Sequence, residues 1–99
     1  MKTKEFMLPR MTIEEFADKN DLVMEIHERS DEDSPARFYA HFEHSDIAED
    51  GMLIGKYGDG ESKKRAILNY AMEISGKVLV IGAFFGCRRE IVVPILVAR

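Results

Sequence analysis

The residues of this 99-residue chain best suited to chemistry lie in the run Gly58-Asp59-Gly60-Glu61-Ser62-Lys63-Lys64-Arg65-Ala66. Ser62 is a helix-capping residue type, which puts Lys63, Lys64 and Arg65 in the first turn of a helix. There the macrodipole already presents positive charge, and the leading backbone N–H groups have no partner within the helix. Cations so placed are mildly destabilising when nothing answers them, and they hold an anion when one docks. Three readings stay open: contact with nucleic-acid phosphates, contact with an anionic protein or nucleotide, or a solvated helix start that Asp59 and Glu61 partly neutralise. Arg88 and Arg89 extend the basic patch if the end of the chain folds back to the helix start. As turn residues they are equally explained by exposure to solvent.

Other reactive side chains form no comparable pattern. His27, His41 and His44 are the only histidines. His41 and His44 differ by an odd number and face opposite ways along a strand. His27 and His41 can meet across strands, but two imidazoles and a distant Cys87 are not a metal-site signature, so no metal is expected. Arg88 and Arg89 favour the thiolate of Cys87, yet no base accompanies it. Asp46, Glu49 and Asp50 lack a partner acid or base. No catalytic residue, cofactor or enzymatic activity is expected, which leaves a binding module.

The elements that must position these residues follow from hydrophobic periodicity. Residues 1–10 read as an arm, with Pro9 resisting helix start. Thr12 and Glu15 form a capping box, Met11 and Phe16 a hydrophobic staple, and the helix they open ends at Asn20 and Asp21. Residues 22–29 alternate, with Leu22, Met24 and Ile26 on one face and Val23, Glu25 and His27 on the other. An acidic loop carrying Asp31, Glu32, Asp33 and Pro35 leads to a second strand over residues 37–43. Residues 44–51 read as a polar hairpin connection and residues 52–57 as a third strand. Residues 58–61 read as a tight turn before the main helix, where Ala66, Ile67, Tyr70, Ala71 and Ile74 recur at helical spacing. Ser75 and Gly76 end that helix. Two β-rich runs, 77–85 and 90–97, are close enough to form an antiparallel hairpin. The fold class is therefore α+β: an α-β-β-β-α core with a C-terminal β-hairpin extension, its helices packed against an antiparallel sheet.

The run Gly58, Gly60, Ser62, Lys63, Lys64 and Ala66 resembles the double-stranded RNA-binding domain family, whose second helix opens on Gly-x-Gly-x-Ser-Lys-Lys-x-Ala-Lys. The likeness covers residues 11–75 and implies a short first helix, three antiparallel strands and a second helix whose lysines grip phosphates across a major groove. Two places differ: Ile67 stands at the third family lysine, and the loop over residues 30–36 lacks the family's Gly-Pro-x-His pattern. HicB-type antitoxin domains show a similar strand, turn, cap and helix signature.

Composition bounds these readings. One domain over residues 11–99 is expected from the length, with residues 77–97 as the hairpin. Apolar residues make up 45% and charged residues 32%, an ordinary balance for a folded soluble protein. No signal peptide or membrane span is visible, and the single cysteine suits a reducing, cytoplasmic setting. The net charge is −4, which disfavours nucleic acid unless binding is local. Residues 1–50 carry 6 Lys or Arg against 14 Asp or Glu, and residues 51–99 carry 8 against 4. One acidic and one basic face follow if the halves do not interleave. The acidic loop also fits a small regulatory or inhibitory adaptor, of the phage type by size and charge, in which Asp31, Glu32 and Asp33 meet a basic protein. The run 91–97 is apolar on both faces, so Ile95 and Val97 are candidates for a protein partner or for self-association. Pro94, without an N–H, points to a sheet edge.

Overall fold

A computed structural model describes residues 1–5, 10–31 and 33–98. The elements run β1 (Arg10–Met11), α1 (Ile13–Asn20), β2 (Met24–Glu28), β3 (Phe38–Phe42), β4 (Ser45–Glu49), β5 (Met52–Ile54), β6 (Gly58–Gly60), α2 (Lys63–Ile74), β7 (Val78–Ile81), β8 (Arg89–Val92) and β9 (Ile95–Leu96). The fold is α+β, with two helices and mostly antiparallel strands. Neither helix is long and apolar enough to cross a membrane. Residues 6–9 of the expected arm, Pro9 included, lie outside the described residues. Arg10 does not belong to a free arm, since it pairs in parallel with Ile95, as Met11 does with Leu96.

Local chemistry accounts for both helices. The Thr12 hydroxyl accepts the Glu15 N–H at 3.1 Å and donates to the Glu15 carboxylate at 3.3 Å, the N-cap half of the expected capping box. Phe16 is buried and Met11 packs beside it. Asp21 closes α1 in the left-handed region at φ 54°, which Asp tolerates better than most residues. Ser62 caps α2 by accepting the Arg65 N–H at 3.1 Å. Ala66, Tyr70, Ala71 and Ile74 form its buried stripe, with Ile67 half-buried beside them. Gly76, at φ 74°, follows the helix end.

The middle of the chain departs from expectation. Residues 44–51 are not a polar connection, because β4 occupies most of them and buries Ile47. The sharp reversal is Asp50-Gly51, both at positive φ, which is the backbone a two-residue hairpin requires. The expected third strand is β5 followed, after residues 55–57, by β6, and residues 58–60 are strand rather than turn. β2, β3 and β6 form one sheet in that order, while β5, β4, β7 and β8 form another. The second and third strands of the expected core therefore each bend and change partners, from β3 to β4 and from β5 to β6.

Tyr70 holds that bend. β6 ends its pairing with β3 opposite Ala40, two residues short of Phe42, so the Phe42 N–H has no strand partner on that side. It donates instead to the Tyr70 hydroxyl at 3.1 Å, and Ser45 Oγ, 3.3 Å from that hydroxyl, donates to the Phe42 carbonyl at 2.6 Å. The Tyr70 ring packs edge-on against Phe42, which in turn meets Phe16. Burial raises the Tyr70 pKa above its ordinary value, outweighing the opposing hydrogen bonds from Ser45 and Phe42.

Gly58 and Gly60 explain the glycines of the central motif. A Cβ at Gly58 would overlap the Tyr70 amide nitrogen and the Ala66 carbonyl, and one at Gly60 the Ala66 amide nitrogen. The backbone of α2 therefore lies directly on the backbone of β6. At the end of the chain, β7 and β8 form the expected antiparallel pair, with Val78 opposite Val92 and Ile81 opposite Arg89. The second apolar run is interrupted at Val93 and Pro94, where Val93 is buried and exchanges backbone bonds with Gly76 and Lys77.

Three outcomes follow for stability. Tyr70→Phe strands a buried N–H and is expected to lower unfolding free energy by about 1–3 kcal/mol in urea denaturation. The native Tyr70 keeps its proton beyond the pH at which the unfolded chain loses it, so stability falls as pH rises above about 10; Tyr70→Phe removes that part of the alkaline loss. Gly60→Ala forces α2 off the sheet and is expected to cost at least about 1–3 kcal/mol, whereas a loss near zero in the same assay would contradict the contact.

Candidate functional site

Because β6 runs into Ser62 and α2 is clamped on β6, the first turn of α2 sits at the rim of the sheet. Lys63, Lys64 and Arg65 are all exposed there, and none forms an ion pair among the described residues. Ser62 occupies the Arg65 N–H, while the Lys63 and Lys64 amides, in the first turn, have no place in the helical ladder. Lys64 borders a cleft of 530 Å³ with Thr12, Glu14, Ile67 and Val97. Arg65 borders a second, 710 Å³ hollow with Pro35, Asp59, Glu61 and Asn69. Asp59 is engaged by Arg29 at 2.7 Å, so Glu14 and Glu61 are the acids that border these cations without a described ion pair.

Arg88 and Arg89 lie elsewhere. Arg88 pairs with Glu90 at 2.9 Å. Arg89 donates to the Asn20 carbonyl at 3.0 Å, at the C-terminal end of α1, where a cation is favoured by the helix dipole. Lys64 lies beside Thr12 and Glu14 at the opposite end of α1, roughly 12 Å away for a helix of this length. The condition for one continuous basic patch is not met. The expected split into acidic and basic faces also gives way, because β4 of the first half lies between β5 and β7 of the second. Glu49 pairs with Lys77 and Arg29 with Asp59 across the two halves.

The acidic loop is exposed at Asp31 and Asp33, with Asp31 Oδ1 accepting the Asp33 N–H at 3.1 Å; Glu32 lies outside the described residues. Ile95 is partly exposed, at 39%. Val97 lines the cleft beside Lys64, and its N–H donates to the Met11 carbonyl at 2.9 Å. Cys87 is a free, exposed cysteine.

Sequence reasoning allowed His27 and His41 to meet across strands but did not join Glu25 to them. On the face of the β2–β3–β6 sheet away from the core, Glu25 lies opposite His41 and His27 opposite Tyr39. The His27 ring stacks on Tyr39 at 4.6 Å and on His41 at 5.3 Å, and the Arg29 guanidinium lies 4.7 Å from the Tyr39 centroid. Alternation placed Glu25 and His27 together on one face; only the strand register brings His41 to them.

Comparisons of the chain with known protein families, with curated proteins and with solved structures found no match. The separation of the two basic groups has its own test. Arg89→Ala is expected to lower the denaturation midpoint slightly and to leave anion binding at the α2 start unchanged; loss of that binding would show that the groups act together.

Proposed function

We propose that the protein is a non-enzymatic binding module that contacts nucleic-acid phosphates through Lys63, Lys64 and Arg65. The observation that carries the reading is the exposure of three consecutive cations, unpaired among the described residues, on a first helical turn, where the Lys63 and Lys64 amides have no partner within the helix. The order of a short helix, three strand passages and a capped basic helix supports the likeness to double-stranded RNA-binding domains. The single exposed thiol of Cys87 fits a cytoplasmic module. With a net charge of −4, binding depends on local positive potential and is weak and salt-sensitive. Arg88 and Arg89, engaged with Glu90 and Asn20, contribute little.

The second reading, a regulatory adaptor docking a basic protein through Asp31, Glu32 and Asp33, draws support from the exposure of Asp31 and Asp33. Part of the acceptor capacity of Asp31 is already used within its own loop, which favours the first reading.

A gel-shift titration of duplex RNA across a salt series tests the proposal. Binding at low salt is expected, and Lys63→Ala with Lys64→Ala should reduce the slope of log affinity against log salt by about 2, roughly one per lost phosphate contact. No binding to duplex or single-stranded nucleic acid at low salt would reject it.

A further inference from the structure

We propose that Glu25, His27 and His41 form a binding site for a divalent transition-metal ion of the zinc class. The site lies on the outer sheet face, does not involve α2, and stands or falls independently of phosphate binding.

The argument begins with donor spacing. Glu25 Oε2 is 3.7 Å from His27 Nε2 and 3.6 Å from His41 Nε2, and one ligand atom from each residue lies within 4.8 Å of the others. Zinc bonds of 2.0–2.1 Å in tetrahedral geometry separate neighbouring ligand atoms by about 3.4 Å. These two edges are close to that value and too long for direct hydrogen bonds. The three atoms thus surround a space of ion size without closing it by bonds among themselves.

Donor state and charge agree with this. His41 Nδ1 lies 2.9 Å from the Phe42 carbonyl. A ring donating there leaves Nε2, 3.6 Å from Glu25 Oε2, as the nitrogen with the lone pair, the backbone-anchored tautomer common among metal-ligating histidines. His27 Nε2 is sealed from solvent and has no hydrogen-bond partner among the described residues, a costly state for a polar nitrogen that a metal bond would relieve. Glu25 faces no Lys or Arg within ion-pair distance among the described residues, its charge being met only by the two imidazoles. Arg29, which lies over Tyr39, pairs with Asp59 instead.

Two imidazoles with one carboxylate select zinc and its neighbours over calcium or magnesium, which take all-oxygen shells. The side chains of Glu25 and His41 are 41% and 26% exposed, so an ion enters from their side, and the sealed His27 Nε2 is reached only as the rings turn. The His27 and His41 rings lie 17° from parallel. Each nitrogen donates within its ring plane, so capture requires the rings to turn towards each other about their Cβ–Cγ bonds, with the Tyr39 stack limiting how far His27 turns.

The test uses the metal-free full chain titrated with zinc chloride at neutral pH, followed by calorimetry and by imidazole nitrogen NMR. One ion per chain is expected, with the Nε2 signals of His27 and His41 moving to the metal-bound range while Nδ1 stays protonated. Glu25→Gln, His27→Ala and His41→Ala should each weaken binding at least about tenfold, and His44→Ala and Cys87→Ser should leave it unchanged. The proposal is overturned by absence of saturable binding, by smaller losses in all three ligand variants, or by binding that Cys87→Ser abolishes. The NMR arm needs no substitution and decides the matter even if a variant unfolds.

Discussion

The structure depends on how closely α2 lies on β6. Layers packed on a sheet are ordinarily held apart, about 10 Å for two stacked sheets, because side chains separate the backbones. Here Gly58 and Gly60 remove them, and Ala66 adds almost nothing in between. That approach lets Tyr70 reach the Phe42 N–H with its hydroxyl while its ring stays in the core. It also aims the first turn of α2 past the sheet rim. Packing, the bend and the placement of the cations therefore share one cause.

The bend has a second consequence. A strand that changes partners at residues 43–44 lets one run of chain, residues 38–49, serve two sheets, so the small core is enclosed by β3 and β6 on one side of the bend and by β4 and β7 on the other. Phe42 and Ile47 face the same cluster from either side of it. Backbone groups at such a corner lose their ladder partners and must be satisfied otherwise. Tyr70 and Ser45 supply those bonds, and His44 at φ 55° absorbs the turn. On the opposite face, the same β2–β3 register that aligns the core residues sets Glu25, His27 and His41 side by side.

Much of the fold was legible because local rules governed it. The Thr12 cap, the β2 strand, the Ser62 cap, the apolar stripe of α2 and the Gly76 stop behave as their residue types require, although Ile26, on the expected apolar face of β2, is exposed at the sheet edge. β4 was not legible as a strand, since Ser-Asp-Ile-Ala-Glu shows one large apolar side chain, and the informative signal was the Asp50-Gly51 pair after it. β6 was misread because glycine marks close backbone approach as readily as a turn. The β1–β9 pairing joins residues 85 positions apart, and no local pattern encodes it. Of the candidate site, Lys63, Lys64 and Arg65 were readable from a cap and a first turn. The positions of Arg88, Arg89 and His41 depended on strand pairing, which a single sequence does not express locally.

The closeness of α2 to β6 is most directly measured by proton NOEs between the Gly58 and Gly60 α-protons and the Ala66 and Tyr70 amides in solution. Contact of the two backbones gives strong cross-peaks from Gly58 to the Tyr70 amide and from Gly60 to the Ala66 amide. Their absence, in a chain whose α2 amides still show helical cross-peaks, would mean that the helix stands off the sheet and that the account of both the bend and the cation placement is wrong.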